Sequence, residues 1–377
     1  MWKGRIQFAF VFVLLAALLI TTVAAAASKS GPTVSLSVSQ GEFDSLQDVW
    51  VTVTLSNDTQ HTVRVLKWFT PVDGVEEALF VVKRDGQPVA YIGPRYKRAA
   101  ATEKDYISLK AGESVTSAVN LGEYYDLSQS GQYEVTYGVT AFNLFNEKGN
   151  AFQAKDVLTS AKISMGIGGR EAKGTPTPPP TPGGGGKSTP TPPPPGGTPT
   201  ATPPGGGGGN TFNACTTTRQ SQLVSARNES KIYASNAENY LLANNQGSRY
   251  TTWFGVFTSA RYNTVKSNFT AISNAMDNAG VHFDCTCTQT NVYAYVYPNQ
   301  PYKIYLCGAF WAAPLTGTDS KAGTLIHEMS HFDVVANTDD YAYGQTAARN
   351  LASSNPEQAI RNADSHEYFA ENTPPLP

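Results

Sequence analysis

Charged residues and histidines are scarce in this chain. Of its 377 residues only 15% are Asp, Glu, Lys or Arg, the formal net charge at pH 7 is −2, and there are five histidines. Because there is no excess of positive charge to hold phosphates or anionic lipid, the composition argues against a nucleic-acid-binding protein or a membrane-surface protein. The length is sufficient for two domains.

Cysteine is also rare, and its four copies are confined to the C-terminal half: Cys215, Cys285, Cys287 and Cys307. A single residue separates Cys285 from Cys287, which is too few for the usual zinc knuckle. An even number of cysteines in an exported protein favours two disulfides over a zinc–thiolate site. Four cysteines allow three pairings, and their spacing does not choose among them.

Only the N-terminus carries a long apolar run. Two basic residues precede an uncharged stretch from Phe8 to Ala27, which ends in the small residues "TTVAAAAS". This pattern predicts a secretory signal peptide over residues 1–27. A transmembrane anchor is the alternative, because about 20 apolar residues can span a bilayer. The alanine-rich end favours cleavage, so we expect a secreted, extracellular protein that has no membrane attachment after the signal is removed.

Residues 171–210 consist mainly of Pro, Gly and Thr, as in "GTPTPPPTPGGGG" and "TATPPGGGGGN". Such a segment cannot bury enough apolar surface to offset the entropy lost on folding. It is typical of a linker that is stiff in its Pro-Thr parts and slack in its Gly parts. The sequence therefore predicts two folded regions, residues 28–170 and residues 211–377.

Residues 28–170 show short runs in which apolar and polar side chains alternate, such as "TVSLSV", "VWVTVTL" and "GQYEVTYGV". Asp85-Gly86 lies between two of these runs and predicts a hairpin. About seven strands predict an all-β, immunoglobulin-like sandwich. No catalytic side chains cluster in this region, and we expect it to be a propeptide; a retained module that binds a cell wall or a substrate is the alternative.

Residues 211–377 predict an α+β domain. Apolar residues recur at helical spacing in a long first segment and again in Ser259–Asn278. Three runs typical of strands follow, "VHFDC", "NVYAYVY" and "KIYLCGAFW". Helical patterns return over residues 319–336 and 344–352, and a last helix is predicted to begin at Pro356 with Asn355 as its cap.

The stretch "HEMSH" has the form H-E-x-x-H, with His327, Glu328 and His331. Residues four apart on a helix face the same way, so the two imidazoles can hold one metal ion. Glu328 is turned by about 100° from His327 and can reach a water molecule beside that ion. The alternative is a surface helix with two solvated histidines.

A catalytic zinc site needs a third protein ligand. Asp333 is predicted to point away from the two histidines, and the metzincin continuation of the motif is absent. A downstream glutamate, Glu367 or Glu371, is the main rival to an aspartate in the segment "NTDDYAYG", where a turn would bring the chain back over the metal. The candidates considered are Asp333, Asp339, Asp340, Asp364, His366, Glu367 and Glu371.

"HEMSH" followed by "NTDDYAYG" resembles the signature of the aspzincin metalloendopeptidases, H-E-x-x-H with G-T-x-D-x-x-Y-G, found in deuterolysins and peptidyl-Lys metalloendopeptidases. The resemblance implies a zincin-type fold and one Zn²⁺ in the catalytic domain. It assigns His327, His331 and Asp340 as zinc ligands, Glu328 as general base and Tyr343 as a donor to the oxyanion. Asn337 replaces the first Gly of the pattern, and Asn tolerates the positive φ that the turn requires.

Further similarity covers essentially all of residues 211–377 and points to the peptidyl-Lys branch. It includes the four cysteines, the "WFG" of Trp253–Gly255 and the segment "NADSHEYFAENTP". The resemblance implies disulfides between Cys215 and Cys285 and between Cys287 and Cys307.

In that branch an Asp and a Glu, here Asp364 and Glu367, line the pocket for the lysine that follows the cleaved bond. The i, i+3 spacing places both on one helix face, although a solvated face would have the same spacing. His366, between them, is expected to point outward to solvent. We therefore expect an enzyme that cleaves protein or peptide substrates on the amino side of Lys, acts as a monomer and does not bind nucleic acid. The alternatives are a protease of broader, deuterolysin-like specificity and a secreted binding protein with a structural zinc.

Overall fold

The computed structural model describes residues 31–44, 47–145, 155–169 and 209–377. The predicted signal peptide and nearly all of the predicted linker lie outside these residues. Among the helices that the structure describes, none is long and apolar enough to cross a bilayer.

The N-terminal region is rich in β-structure, as its alternating sequence predicts. Its described strands are β1 (Thr33–Val38), β2 (Glu42–Phe43), β3 (Trp50–Ser56), β4 (Val63–Leu66), β5 (Phe80–Arg84), β6 (Gln87–Pro88), β7 (Arg95–Arg98), β8 (Tyr106–Leu109), β9 (Ser114–Asn120), β10 (Gly131–Phe142), β11 (Lys155–Thr159) and β12 (Ile163–Ile167).

These strands form sheets in the orders β1-β3-β9, β2-β12-β10-β5-β6 and β4-β8, with β11 also paired to β10. Alternate residues of β10, including Tyr133, Val135 and Tyr137, are buried in an apolar core. The predicted hairpin is confirmed, because β5 and β6 pair around Asp85 and Gly86, whose φ angles are 49° and 81°. Positive φ at both central residues is the geometry that favours Asp-Gly in a two-residue turn.

The C-terminal region is α+β, as predicted. It consists of β13 (Thr211–Asn213), α1 (Thr217–Leu242), α2 (Ser248–Phe254), α3 (Ser259–Asn278), β14 (His282–Asp284), β15 (Val292–Val296), β16 (Lys303–Leu306), α4 (Gly308–Ala312), α5 (Lys321–His331), α6 (Gly344–Ser354), α7 (Pro356–Ala359) and α8 (Ala363–Glu371).

Polar side chains fix where several of these helices begin. The hydroxyl of Thr216 accepts a hydrogen bond from the amide of Arg219 at the start of α1, and Thr258 caps α3 in the same way. Asn355 caps α7 and Pro356 is its first residue, which confirms the predicted start, but the predicted last helix is divided into α7 and α8. Each cap satisfies an amide that the helix itself leaves without a partner.

Two predicted boundaries are wrong. The end of the run "KIYLCGAFW" is not a strand, because β16 stops at Leu306 and the chain turns at the disulfide-bonded Cys307 into α4. The helix predicted over residues 319–336 ends at His331, because Phe332 adopts an extended conformation with ψ 134°. That early end allows the chain to reverse over the histidines.

Two disulfides join the strands to their surroundings. Cys215 is bonded to Cys285, and Cys287 to Cys307. This is the pairing that the family resemblance implied. The first bridge ties the segment before α1 to the end of β14, and the second ties the loop before β15 to the residue after β16.

One strand crosses between the two regions. β7 pairs antiparallel with β15, so the C-terminal sheet has the order β13-β14-β16-β15-β7. Part of the N-terminal region therefore lies directly against the elements that carry the H-E-x-x-H motif, since α5 packs on β15 and β7.

Candidate metal centre and active site

Helix α5 carries His327, Glu328 and His331 through the interior of the C-terminal region. All eleven residues of the helix are buried. Ser320 caps it, with its hydroxyl accepting a hydrogen bond from the amide of Gly323. The two imidazole rings lie on one face with their centroids 4.8 Å apart. The helical spacing therefore produces the paired histidines that the sequence predicts.

The chain then folds back over these rings. Asn337 has φ 47°, the left-handed conformation expected of the Asn that stands in place of Gly. Nδ1 of His331 donates a hydrogen bond to the carbonyl oxygen of Thr338 at 2.8 Å. This bond fixes the ring orientation and leaves Nε2 as the nitrogen with a free lone pair.

The reversed segment brings Asp340 against both histidines. Its Oδ1 lies 3.2 Å from Nε2 of His327, and its Oδ2 lies 3.4 Å from Nε2 of His331, with all three side chains fully buried. One ligand atom from each residue lies within 4.8 Å of the other two. None of these nitrogen and oxygen atoms has a hydrogen-bond partner among the residues that the structure describes. Buried polar atoms without partners are costly, and two imidazoles with a carboxylate are ligands suited to zinc, so these residues fit a zinc ion.

Two carboxylates lie close to the other ring nitrogen of His327, Nδ1. Its Nδ1 lies 2.9 Å from Oδ1 of Asp364 and 3.3 Å from Oε2 of Glu367. The other oxygen of Asp364 accepts a hydrogen bond from the amide of Gly344 at 2.6 Å. A carboxylate on the far nitrogen of an imidazole orients the ring and makes the nearer nitrogen a stronger metal ligand.

The same two carboxylates bind the ammonium group of Lys97, which belongs to β7. Nζ of Lys97 lies 2.7 Å from Oε2 of Glu367 and 3.2 Å from both Asp364 Oδ1 and Asp319 Oδ1, and the lysine side chain is fully buried. Tyr368 donates a hydrogen bond to the same oxygen of Asp319. Burial would lower the pKa of Lys97, but the facing carboxylates raise it well above its ordinary value.

His327, Asp364 and Glu367 also satisfy the distances of a second possible metal group. The ammonium of Lys97 already lies among these carboxylates, so they bind an organic cation there. Asp364, by contrast with Asp340, already accepts hydrogen bonds from Lys97 and from the amide of Gly344.

Glu328 is fully buried, and neither of its carboxylate oxygens has a hydrogen bond within the described part of the chain. Burial raises the pKa of Glu328 well above its ordinary value, with His327 acting in the opposite direction. A buried carboxyl group beside His327 whose oxygens are not engaged by described residues is suited to exchanging a proton with a water molecule.

Tyr343 follows Asp340 and marks the start of α6. Its hydroxyl donates a short hydrogen bond to Oε1 of Glu77, a residue of the N-terminal region, and its ring packs edge-on against Trp68. Burial, reinforced by Asp340, raises the pKa of Glu77 to about 8, although Arg98 opposes this shift.

Three other candidates for a third metal ligand have different surroundings. Asp333, which was predicted to point away from the histidines, is exposed. Asp339 accepts a hydrogen bond from the hydroxyl of Tyr341 and pairs with Arg95 of β7. Glu371 accepts hydrogen bonds from the amide and the hydroxyl of Ser320 at the start of α5.

The expectation for His366 is wrong. Its side chain is fully buried, with Nδ1 donating to the carbonyl oxygen of Asn362 and Nε2 accepting from the amide of Asn268. The ring packs against Phe254 and Phe269. Burial lowers the pKa of His366 to about 4, so the ring is neutral at pH 7.

Three residues of the site carry no recognisable signal in the sequence. Asp319 lies in the loop before α5, while Lys97 and Glu77 come from the N-terminal region. None belongs to a motif, and only the packing of the two regions brings them to the histidines. A lone lysine in "RYKR" and a glutamate in "GVEEAL" look like ordinary surface residues.

The chain is similar in sequence to known peptidases. The family profile described as lysine-specific metallo-endopeptidase matches residues 239–371. An "Extracellular protease" of Aeromonas hydrophila is 42% identical over 96% of this chain and 97% of its own length. A "Peptidyl-Lys metalloendopeptidase" of Pleurotus ostreatus is 54% identical over 44% of this chain and 99% of its own length. A solved zinc peptidase from Grifola frondosa is 48% identical, covers 43% of this chain and all of its own, and superposes with a TM-score of 0.42.

Proposed function

The chain belongs to the aspzincin family of lysine-specific metallo-endopeptidases and is a zinc metalloendopeptidase, and we propose that it cleaves proteins on the amino side of lysine. In this proposal His327, His331 and Asp340 hold the zinc ion. The zinc site is supported by the convergence of these three buried side chains, whose facing atoms have no hydrogen-bond partner among the described residues.

Glu328 is the proposed general base. A zinc ion bound at this site supplies Lewis-acid polarisation of the substrate carbonyl and makes water nucleophilic near neutral pH. The carboxylate of Glu328 accepts a proton from the attacking water and delivers it to the amine that leaves. The burial of Glu328 supports this role. So does the absence of a hydrogen bond to it from any described residue, because its carboxylate is then free to bind a water molecule.

Tyr343 is the proposed donor to the oxyanion that forms on the cleaved carbonyl. Tyr343 lies three residues after Asp340 in the chain. Its hydroxyl is a hydrogen-bond donor, and in this structure it donates to Glu77. A hydroxyl that stabilises charge developing in the transition state lowers the barrier without changing in charge itself.

The lysine specificity rests on the carboxylates of Asp364 and Glu367. They lie on α8, one turn apart, and together with Asp319 they surround an ammonium group, that of Lys97. The pocket therefore has the charge and size to hold a lysine side chain. The same carboxylates contact His327, so the bound lysine lies next to the zinc ligands. A compact ring of oxygens suits the point charge of Lys better than the broader guanidinium of Arg.

We further propose that the protein is secreted, that residues 28–170 form an immunoglobulin-like propeptide, and that residues 211–377 are the monomeric peptidase. The similarity to an extracellular protease supports export. The shorter relative, which matches 44% of this chain over nearly its whole length, supports a peptidase that functions without the preceding region. The apolar core shared by β3, β5 and β10 supports the sandwich.

The test is to digest a mixture of unrelated proteins and to sequence the new N-termini. The proposal expects them to begin with lysine, and it expects Glu328→Gln to abolish the digestion while the zinc content stays the same. Glu357→Gln, on an exposed side chain, is the matched control and keeps full activity. New N-termini with scattered residues would refute the lysine specificity and favour a broader, deuterolysin-like enzyme. Undiminished digestion by Glu328→Gln would refute the assigned base.

A further inference from the structure

Strand β7 forms one edge of the C-terminal sheet, beside β15. Tyr96 is aligned with Tyr295 and Lys97 with Ala294 in an antiparallel pairing with β15. Without β7, β15 would be the edge strand of that sheet. An exposed sheet edge next to a catalytic centre is a surface on which an extended peptide can bind through its backbone, with side-chain pockets providing the specificity.

Two side chains of β7 contact acidic residues of the C-terminal region. Lys97 enters the pocket formed by Asp364 and Glu367. Two residues earlier, the guanidinium of Arg95 pairs with Asp339, which adjoins the ligand Asp340. These are contacts that an extended peptide makes when it binds in a groove lined by acidic side chains.

In a substrate whose lysine occupied this pocket, the cleaved bond would be the one that precedes the lysine, and the corresponding bond of β7 joins Tyr96 to Lys97. The ring of Tyr96 packs against Tyr295, with the ring centroids 5.1 Å apart. The strand therefore has both the backbone pairing and the side chain expected of a substrate.

A second segment of the N-terminal region engages the proposed oxyanion donor. Glu77 precedes β5 and accepts the hydrogen bond of the Tyr343 hydroxyl. Arg98 of β7 lies 4.0 Å from the same carboxylate and 2.9 Å from Glu76. The hydroxyl that the reaction needs is thus directed to a residue outside the peptidase region.

We propose that β7 is a built-in substrate mimic that keeps the unprocessed chain inactive: Lys97 fills the pocket for the substrate lysine, β7 covers the edge of β15, and Glu77 engages Tyr343. This inference rests on the proposed function, because it takes the pocket of Asp364 and Glu367 as the lysine pocket. It also identifies Asp319 as a third carboxylate of that pocket. Removal of the N-terminal region then opens the groove, the pocket and the oxyanion donor together.

Lys97→Met tests this inference, because methionine retains most of the side-chain length and lacks the charge. Lys83→Met is the matched control, since Lys83 is an exposed lysine on β5 of the same region. Both changes are made in full-length chains that also carry Glu328→Gln. Loss of the proposed general base prevents the chain from cleaving itself during the measurement. Amide hydrogen exchange is then measured at residues 95–98 and 292–296.

Loss of one partner from a buried charge pair weakens docking strongly, so we expect Lys97→Met to accelerate this exchange about 10-fold or more. Lys83→Met should leave it unchanged. Exchange that does not change in Lys97→Met would overturn the inference. The thermal unfolding curve of each chain shows whether the peptidase region, residues 211–377, remains folded.

The second measurement uses chains that retain Glu328 and follows hydrolysis of a short lysine-containing peptide before the N-terminal region is removed. Lys97→Met should cleave it about 10-fold or more faster than the wild type, and the two should be equal after removal. Faster exchange without faster hydrolysis would overturn the inhibitory role. Products that lack an N-terminal lysine would instead refute the proposed specificity, while the exchange result would still report whether Lys97 docks β7.

Discussion

Nζ of Lys97 lies 2.7 Å from Oε2 of Glu367, and both side chains are fully buried although they come from different regions of the chain. Burying two opposite charges is tolerated only where their geometry compensates for the lost hydration. The pocket that holds this lysine also contacts His327. The contact therefore lies where three proposed properties of the protein meet: the zinc site, the selection of lysine and the latency of the unprocessed chain.

Glu367→Gln should weaken the selection of lysine in the active enzyme. A hydrogen bond to a charged group contributes about 1.5–3 kcal/mol, so we expect kcat/KM for a lysine-containing peptide to fall about 10- to 100-fold. The zinc content should stay the same, since Glu367 is not a proposed ligand. Steady-state kinetics beside the exposed control Glu357→Gln measure the effect. An unchanged kcat/KM would show that Glu367 does not select lysine.

Tyr343→Phe should impair catalysis without loss of zinc. Removing one oxyanion donor typically lowers kcat by about 10²- to 10³-fold. Tyr341→Phe is the matched control, because that hydroxyl, two residues away, donates to Asp339. Both variants are compared with the wild type after removal of the N-terminal region. Equal losses of kcat in the two variants would contradict a specific role for Tyr343.

His366 should make the fold sensitive to acid. Burial lowers its pKa from 6.5 to about 4, so the folded state favours the neutral ring. Its neighbours are the side-chain amide of Asn268, the backbone carbonyl of Asn362 and two phenylalanine rings. This stability is fully present above pH 6.5 and is lost as the pH falls toward 4.

The loss should reach on the order of 3 kcal/mol at pH 4. Urea unfolding between pH 7 and pH 4 measures it, with His366→Gln as the comparison that cannot titrate. The variant should show a shallower fall in the free energy of unfolding than the wild type. Parallel pH profiles for the two proteins would exclude His366 as the source.

The two disulfides should differ in their contribution to stability. They close loops with sequence separations of 70 and 20 residues. In the chain-entropy description the longer loop gives about 1 kcal/mol more stabilisation. Replacing Cys215 and Cys285 by Ala should thus lower the free energy of unfolding further than replacing Cys287 and Cys307. A larger loss from the second pair would show that native-state contacts outweigh chain entropy.

Local sequence patterns were sufficient for much of the fold. The helix Ser259–Asn278 and the Asp85-Gly86 hairpin were predicted because periodicity and turn chemistry act over a few residues. The pairing of β7 with β15 could not be predicted. The run "RYKR" has no apolar alternation, and its partner strand is far away in the sequence.

Local sequence patterns likewise predicted only part of the candidate site. The paired histidines and Glu328 follow from helical spacing, whereas Asp340 and Tyr343 were assigned only through family resemblance. Helical spacing alone left open whether Asp364 and Glu367 line a pocket or face solvent, and every residue of α8 is buried. Sequence alone did not indicate this, because the polar side chains of α8 are satisfied by partners that only tertiary packing provides.

The zinc content of Asp340→Asn tests the central claim most directly. Asp339→Asn, which changes the adjacent residue in the same way, is the control. After dialysis against zinc-free buffer, we expect one zinc per chain in the wild type and in Asp339→Asn, and zinc affinity weakened by about 100-fold or more in Asp340→Asn. An Asp340→Asn protein that retains one tightly bound zinc per chain would contradict the account.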